Sequence, residues 1–244
     1  MISEQKKNKQ LLFLIAQPRS GNTLFSSIMN QNPDIVVTPN SITLDIMKDL
    51  FLLKETDVFQ NYPDHKSLDN VLNTVYDNYY KDWPQRIIID RGPVTTLGNF
   101  SLMQKYFKRP FKCIIILRDL MDVLASYMKW YTENPDAFPN RYGCKNDEEK
   151  LAMIMNKDGA VAKNLNAIKN SYNYKNICHY VKYDDIVTNP EQEFRKIYQF
   201  LEEPYYPHYF QNLKQINING IGYDDTVVGK NMHKVFDDSI KKRY

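Results

Sequence analysis

Short unbroken apolar runs recur along the chain, separated by longer stretches of helical periodicity. This alternation restricts the fold more than any other feature. The clearest runs are Leu11–Ala16 (LLFLIA), Arg86–Asp90 (RIIID) and Lys112–Leu117 (KCIIIL). A strand wetted on one face alternates apolar with polar residues, whereas a strand covered on both faces carries a continuous apolar run. Ile35–Val37 and Ile177–Tyr183 (ICHYVKY) read as two further strands. Helical patterns lie between them at Asn22–Asn30 (with Leu24, Phe25, Ile28 and Met29 inward), Ile42–Leu53, Leu68–Tyr80, Leu97–Tyr106 and Met121–Tyr131. One long helix is predicted over Asp147–Asn170. A last helix has Asn189 as N-cap, Pro190 at its first position and Gln192 reaching back in a capping box. Its stripe of Phe194, Ile197, Tyr198 and Leu201 follows the i, i+3, i+4, i+7 spacing. The pattern predicts an α/β fold with three layers, a central parallel sheet of about five strands flanked by helices.

Composition narrows the class. A chain of 244 residues suits one such domain with peripheral decoration, preceded by a flexible basic tail over residues 1–10. With 43% hydrophobic and 25% charged residues, disorder and collagen-like structure are excluded. No apolar run approaches the ~20 residues of a membrane span. A net charge of +3 is too small to imply a nucleic-acid partner. Cys113, Cys144 and Cys178 form neither a disulfide framework nor a zinc spacing, and Cys113 and Cys178 read as small buried hydrophobes. The apolar segment after the basic start is too short for a secretion signal, so a reducing cytoplasm is expected.

In parallel sheets ligands bind outside the carboxyl ends of the strands. The residues there are Gln17–Thr23, Thr38-Pro39-Asn40, Arg91-Gly92-Pro93, Arg118-Asp119 and Tyr183-Asp184-Asp185. Arginines in three of the five segments point to an anionic ligand. In the first segment, strand, short loop with Gly21 and helix make a phosphate cradle, because helix-terminal N–H groups and the helix dipole both favour an anion. The loop can be laid on the P-loop pattern G-x-x-x-x-G-K-[ST], with Ala16 in place of the first glycine and Asn22 in place of the lysine. That lysine serves the outer phosphates of a triphosphate. Here the cation has moved upstream to Arg19, an arrangement suited to one phosphate with a second anionic group attached and poorly suited to Mg-ATP.

The second anchor is Arg118, at a strand end, with Ser126 eight residues later, early in the next helix. A guanidinium fork and a nearby hydroxyl suit a dianionic phosphate. With both anchors in view, the chain resembles the sulfotransferase family from about residue 10 to 204, in its Pro-Arg-Ser-Gly-x-Thr form known from microbial and phage-like members. Gln17–Leu24 is similar to the family's 5′-phosphosulfate loop, Arg118–Ser126 to its 3′-phosphate motif, and Lys182–Pro190 to its strand-then-helix signature. The resemblance implies a P-loop-like fold. It also implies 3′-phosphoadenosine 5′-phosphosulfate (PAPS) as donor, the bisphosphate PAP as product, no metal, and an acceptor that is a carbohydrate, lipid, peptide or small molecule. By family position, Pro18, Arg19, Ser20, Gly21, Asn22 and Thr23 hold the 5′-phosphate, with Arg19 over the bridging oxygen and sulfuryl group. Arg118 and Ser126 hold the 3′-phosphate, and Tyr183 lies near the adenine. Val228–His233, with Gly229 and Lys230, matches a loop that closes over the nucleotide. Arg91 aligns with a family lysine beside the sulfuryl group.

The base that takes the acceptor proton is unassigned. Relatives with this loop often carry a glutamate where this chain has Asn40, and the histidine of the cytosolic branch is absent after Asp90-Arg91-Gly92-Pro93. Asp45, His65, Asp90 and His233 remain as candidates. Two other classes stay open: a P-loop-type small-metabolite kinase, which Asn22 opposes, and a catalytically idle nucleotide-binding protein, which Asn40 allows. The acceptor is expected near the helices from Ile42 to Tyr80 and a loop from Trp130 to Tyr142, where Tyr62, Tyr76, Tyr79, Tyr80, Tyr131 and Tyr142 could stack on rings or pack in the core.

Overall fold

The computed structural model describes residues 9–92, 97–136, 143–214, 217–227 and 229–234. Five strands, β1 (Gln10–Ala16), β2 (Ile35–Asn40), β3 (Ile87–Arg91), β4 (Lys112–Leu117) and β5 (Cys178–Lys182), form one sheet in the order β2-β3-β1-β4-β5. Every pairing is parallel. β1 lies at the centre, where a strand needs apolar side chains on both faces. Leu11, Phe13 and Ile15 enter one core with Tyr76, Tyr80, Phe100 and Met103, while Leu12 and Leu14 enter the other with Phe25, Ile28, Phe194 and Leu201. The unbroken apolar runs are thus two alternating sets read in one line.

Helices cover both faces. The first core takes α2 (Thr43–Leu52), α4 (His65–Tyr79), α5 (Leu97–Tyr106) and α8 (Ala160–Ser171); between α2 and α4 lies the short α3 (Asp57–Asn61). The second core takes α1 (Asn22–Met29) and α10 (Pro190–Leu201). Together with α6 (Leu120–Glu133), α7 (Asp147–Met155) and α9 (Tyr183–Thr188) these give the three-layer arrangement expected. No helix among the described residues is long and apolar enough to cross a membrane. The strand order fixes where a ligand can bind. From β1 the chain departs toward β2, and from β4 it departs to the other side, toward β5. The loops after these two neighbouring strands diverge and open a crevice at their carboxyl ends.

Several details differ from the sequence expectations. The helix predicted over Asp147–Asn170 is two helices, α7 and α8, because the chain turns sharply at Gly159; a Cβ there would sit 2.4 Å from the Ile154 carbonyl oxygen. The strand predicted through Tyr183 stops at Lys182, and Tyr183 opens α9. Asn189 does precede α10 with Pro190 next, but no side-chain bond caps that end, so the Gln192 capping box is absent. Lys9 and Gln10, expected in the tail over residues 1–10, are held in the fold: the Lys9 ammonium donates to the carbonyls of Tyr80 (2.6 Å) and Trp83, and Gln10 pairs with Ile87.

A buried polar chain links the second core to the segment after α10. Asn32 Nδ2 donates to the Tyr198 hydroxyl at 3.0 Å, and His208 Nε2 lies 3.1 Å from the same oxygen. Burial pushes His208 down to about 4, against a smaller opposing pull from the Ile28 carbonyl. The unfolded chain therefore takes up this proton first as pH falls through about 6.5, and stability drops between there and about 4. Relative to pH 7, the loss from this one group should reach about 2 kcal/mol by pH 5. Urea unfolding of wild type and His208→Gln at pH 7 and pH 5 checks it. The variant should lose less stability than wild type on acidification, and equal losses would remove His208 from the account.

Candidate functional site

The loop after β1 is braced from within. Ser20 Oγ donates to the Gln17 carbonyl at 2.6 Å and Asn22 Nδ2 donates to the same oxygen at 3.1 Å. Both side chains are buried, so Asn22, at the position of the P-loop lysine, turns inward and ties the loop together. No side chain caps α1, whose N-cap is Gly21 at φ 95°. The leading N–H groups of Gly21, Asn22 and Thr23 are therefore what the loop can offer an anion. Gly21 is required twice over: its φ is left-handed, and a Cβ would meet the Tyr183 ring at 2.5 Å.

Across the crevice stands the second anchor. Arg118 Nη1 donates to the Arg19 carbonyl at 2.6 Å, and the Arg118 guanidinium carbon lies 4.2 Å from the centre of the Tyr183 ring. Arg19, itself at φ 70°, sends its side chain toward the same place: its Nε donates to Ser126 Oγ at 3.1 Å. The two anchors expected from the sequence, 99 residues apart at Arg19 and Arg118, are thus one cluster. Asp119 caps α6 by accepting from the N–H groups of Met121 and Asp122, which fixes where Ser126 emerges.

A third arm comes from the C-terminal segment. Arg19 Nη1 donates to the Met232 carbonyl at 3.1 Å, Trp130 Nε1 donates to the Lys230 carbonyl at 3.0 Å, and a Cβ on Gly229 would meet the Trp130 ring at 2.4 Å. At the end of β3, Asp90 is fully buried. It accepts from Ser41 (3.0 Å), Thr43 (2.6 Å), Tyr80 (2.6 Å) and the Gly92 N–H (2.6 Å). Burial pushes its carboxyl up, and the hydroxyl bonds pull it back. This network holds the β3 terminus and aims Arg91, whose Nη1 donates to the Tyr223 hydroxyl at 2.8 Å. The Tyr223 ring stacks on His233 with centroids 3.9 Å apart, and His233 Nδ1 lies 2.6 Å from Asp225.

The family model described as Sulfotransferase family matches residues 12–207. The chain belongs to this family. A search of curated proteins finds no match. Among solved structures, the sulfotransferase domain from the Synechococcus PCC 7002 olefin synthase is similar at 15% identity and a TM-score of 0.58, over 95% of this chain and 87% of that one. The sulfotransferase domain from the curacin biosynthetic pathway is similar at 18% identity and TM-score 0.56, over 82% and 76%. Mouse sulfotransferase SULT7A1, solved in complex with PAP, is similar at 17% identity and TM-score 0.53, over 81% of this chain and 60% of that one. At these identities the likeness is one of fold.

Within the sulfotransferase fold the proton-acceptor candidates separate clearly. Asp45 is exposed in the first turn of α2, and His65 is exposed at the start of α4, its ring 5.0 Å from that of Phe59. Neither has a described contact with the arginine cluster. Asp90 spends its oxygens on the four bonds above. Asn40, at the glutamate position of the relatives, is exposed at the end of β2 and pairs in register with Arg91. Of the four, only His233 is linked to both arginines, to Arg91 through the Tyr223 ring and to Arg19 through the neighbouring Met232 carbonyl. Tyr76, Tyr80 and Tyr131 are buried in the core, so among the described tyrosines proposed for stacking only Tyr62 and Tyr79 offer exposed rings. The segment expected as a loop from Trp130 is helical through Glu133, and Tyr142, Pro93 and Val228 lie outside the described residues. The site residues that sequence reasoning missed are Asn134, whose Nδ2 donates to the Lys230 carbonyl at 3.3 Å, and Tyr223 and Asp225, which meet Arg91 and His233; no local pattern announces these contacts.

Proposed function

We propose that the chain, as one sulfotransferase-like domain over residues 1–244, moves a sulfuryl group from PAPS to a hydroxyl or amine of an acceptor in the cytoplasm. The observation that carries this is the union of the β1 loop with Arg118 and Ser126 across the crevice between β1 and β4. Two arginines, a buried hydroxyl and an uncapped helix start converge there, which suits two phosphates on one nucleotide better than a linear triphosphate. Pro18–Thr23 would hold the 5′-phosphate, Arg118 and Ser126 the 3′-phosphate, and the Tyr183 ring, packed between Gly21 and Arg118, would border the nucleoside. Gly229 and Lys230 would close the site from the C-terminal side. The mouse relative solved with PAP supports the same nucleotide class. Arg19 and Arg91 supply positive charge where charge develops on the sulfuryl oxygens and leaving phosphate. In this reading Arg19 exchanges part of its present hold on Ser126 and Met232 for the nucleotide.

Radiolabelled PAPS incubated with the protein and a metal chelator tests this. PAP should form, with the label carried to an acceptor or released as sulfate. Turnover that needs Mg-ATP and ignores PAPS would instead mark a kinase, and tight PAP binding without any turnover would mark an idle binding protein.

A further inference from the structure

We propose that His233 is the general base of this reaction and that Asp225 holds its ring for the task. The inference rests on the sulfuryl-transfer reading above. His233 Nδ1 lies 2.6 Å from Asp225 Oδ1, and the His233 backbone N–H donates to Asp225 Oδ2 at 3.2 Å. One carboxylate therefore grips both the ring and the backbone of the same residue. With Nδ1–H donated to the carboxylate, the lone pair falls on Nε2, the nitrogen free to take a proton. The ring's tilt is set by Tyr223, stacked on it at 12° and 3.9 Å, and Tyr223 is in turn held by Arg91. On the other side, the residue before His233 offers its carbonyl to Arg19. Both cations assigned to the sulfuryl group thus meet the histidine through one intervening residue.

Among the described residues, the charged and titratable groups facing the ring are Asp225, Tyr223, Arg91 and Arg19. Burial lowers the affinity of His233 for a proton, the Asp225 bond raises it, and the two arginines lower it further. The ring is therefore neutral at pH 7, the form a base requires. In the step itself, the acceptor O–H bond gives its proton to Nε2 while the oxygen's electron pair forms the new S–O bond. The bond from sulfur to the bridging oxygen breaks, and its electron pair leaves on the 5′-phosphate. Atoms and charge balance with no further reactant. Asp225 touches none of these atoms and acts only by orienting the imidazole.

Because the natural acceptor is unknown, water serves as the probe: slow hydrolysis of PAPS needs the same proton transfer. His233→Ala and His233→Gln should hydrolyse PAPS about 10²-fold more slowly while binding PAP within about twofold of wild type by calorimetry. Added imidazole should restore part of the rate to His233→Ala. In Asp225→Asn the acid limb of the rate should move to lower pH, since the group that raises the histidine's proton affinity is gone. Proton NMR of the imidazoles gives a reading that needs no turnover. The protein has four histidines, and the resonance missing from His233→Gln identifies the one of interest. Saturation with PAP should raise its titration midpoint through the nearby phosphate. The proposal is overturned if the variants hydrolyse PAPS at the wild-type rate, or if PAP binds and leaves the His233 resonance unmoved. Failure of wild type to bind PAP would be a different result and would sink the sulfuryl-transfer reading itself.

Discussion

Replacing Arg19 by alanine is expected to lower kcat by about 10²–10³, as deletion of one preorganised charge donor does elsewhere, and to leave donor affinity much less changed. Arg19 is the only cation in the β1 loop. The backbone N–H groups of Gly21, Asn22 and Thr23 stay in place without its side chain, and so does the guanidinium of Arg118, which bonds the Arg19 backbone carbonyl rather than its side chain. What disappears is positive charge where the bridging oxygen and sulfuryl group gain negative charge, and interactions that strengthen in the transition state act on turnover rather than on ground-state binding. Arg19 also joins Ser126 to the Met232 carbonyl, so its loss loosens the C-terminal arm. Arg19→Lys keeps the charge and cannot make both bonds in one plane, so it should fall between wild type and alanine. The measurement is kcat and PAP Kd for the three proteins. An Arg19→Ala protein with wild-type kcat at saturation would make Arg19 a binding residue only.

Arg118→Ala should show the opposite split. The loss of a charge-assisted contact to the 3′-phosphate is worth about 1.5–3 kcal/mol, roughly 10- to 150-fold in donor Kd, with a smaller loss in kcat at saturating donor. Two contacts in the structure sharpen the expectation. Arg118 bonds the Arg19 carbonyl at 2.6 Å and lies over the Tyr183 ring at 4.2 Å, so its removal also slackens the loop proposed for the 5′-phosphate. Binding of an analogue without the 3′-phosphate should therefore weaken as well, though less than binding of PAP. Calorimetry with both nucleotides checks the pattern, with thermal unfolding of the variant to confirm that it is folded. Equal weakening for both would shift Arg118 from phosphate ligand to loop brace.

β1, β3 and β4 were legible because burial on both faces leaves an unbroken apolar run, and β4 matches its predicted span of Lys112–Leu117. The turn that splits α7 from α8 was harder to see. The break falls at Asn156-Lys157-Asp158-Gly159, a polar run with an Asp-Gly turn signal that the helical reading ran through, and in the fold Gly159 comes so near the Ile154 carbonyl that no Cβ fits. Asp90 was legible as a carboxylate at a strand end, which fits a base as well as an anchor. Its role is decided by hydroxyls from Ser41, Thr43 and Tyr80, which come from other parts of the chain. The same limit hid what the C-terminal arm, expected over Val228–His233, is fastened to. Tyr223 meets Arg91 across 132 residues and Met232 meets Arg19 across 213, and no spacing rule spans such distances. His233 could be named from the sequence. The carboxylate that grips it, the tyrosine that stacks on it and the arginines beside it belong to the fold.

In the sulfuryl-transfer reading, one crevice holds both phosphates of a 3′,5′-bisphosphorylated adenosine. Titration calorimetry of wild-type protein with PAP and with adenosine 5′-monophosphate tests it most directly. PAP should bind tighter by about 1.5–3 kcal/mol, and the advantage should shrink sharply in Arg118→Ala. Equal affinity for the two nucleotides would contradict the account, because the Arg118 and Ser126 anchor would then hold no 3′-phosphate.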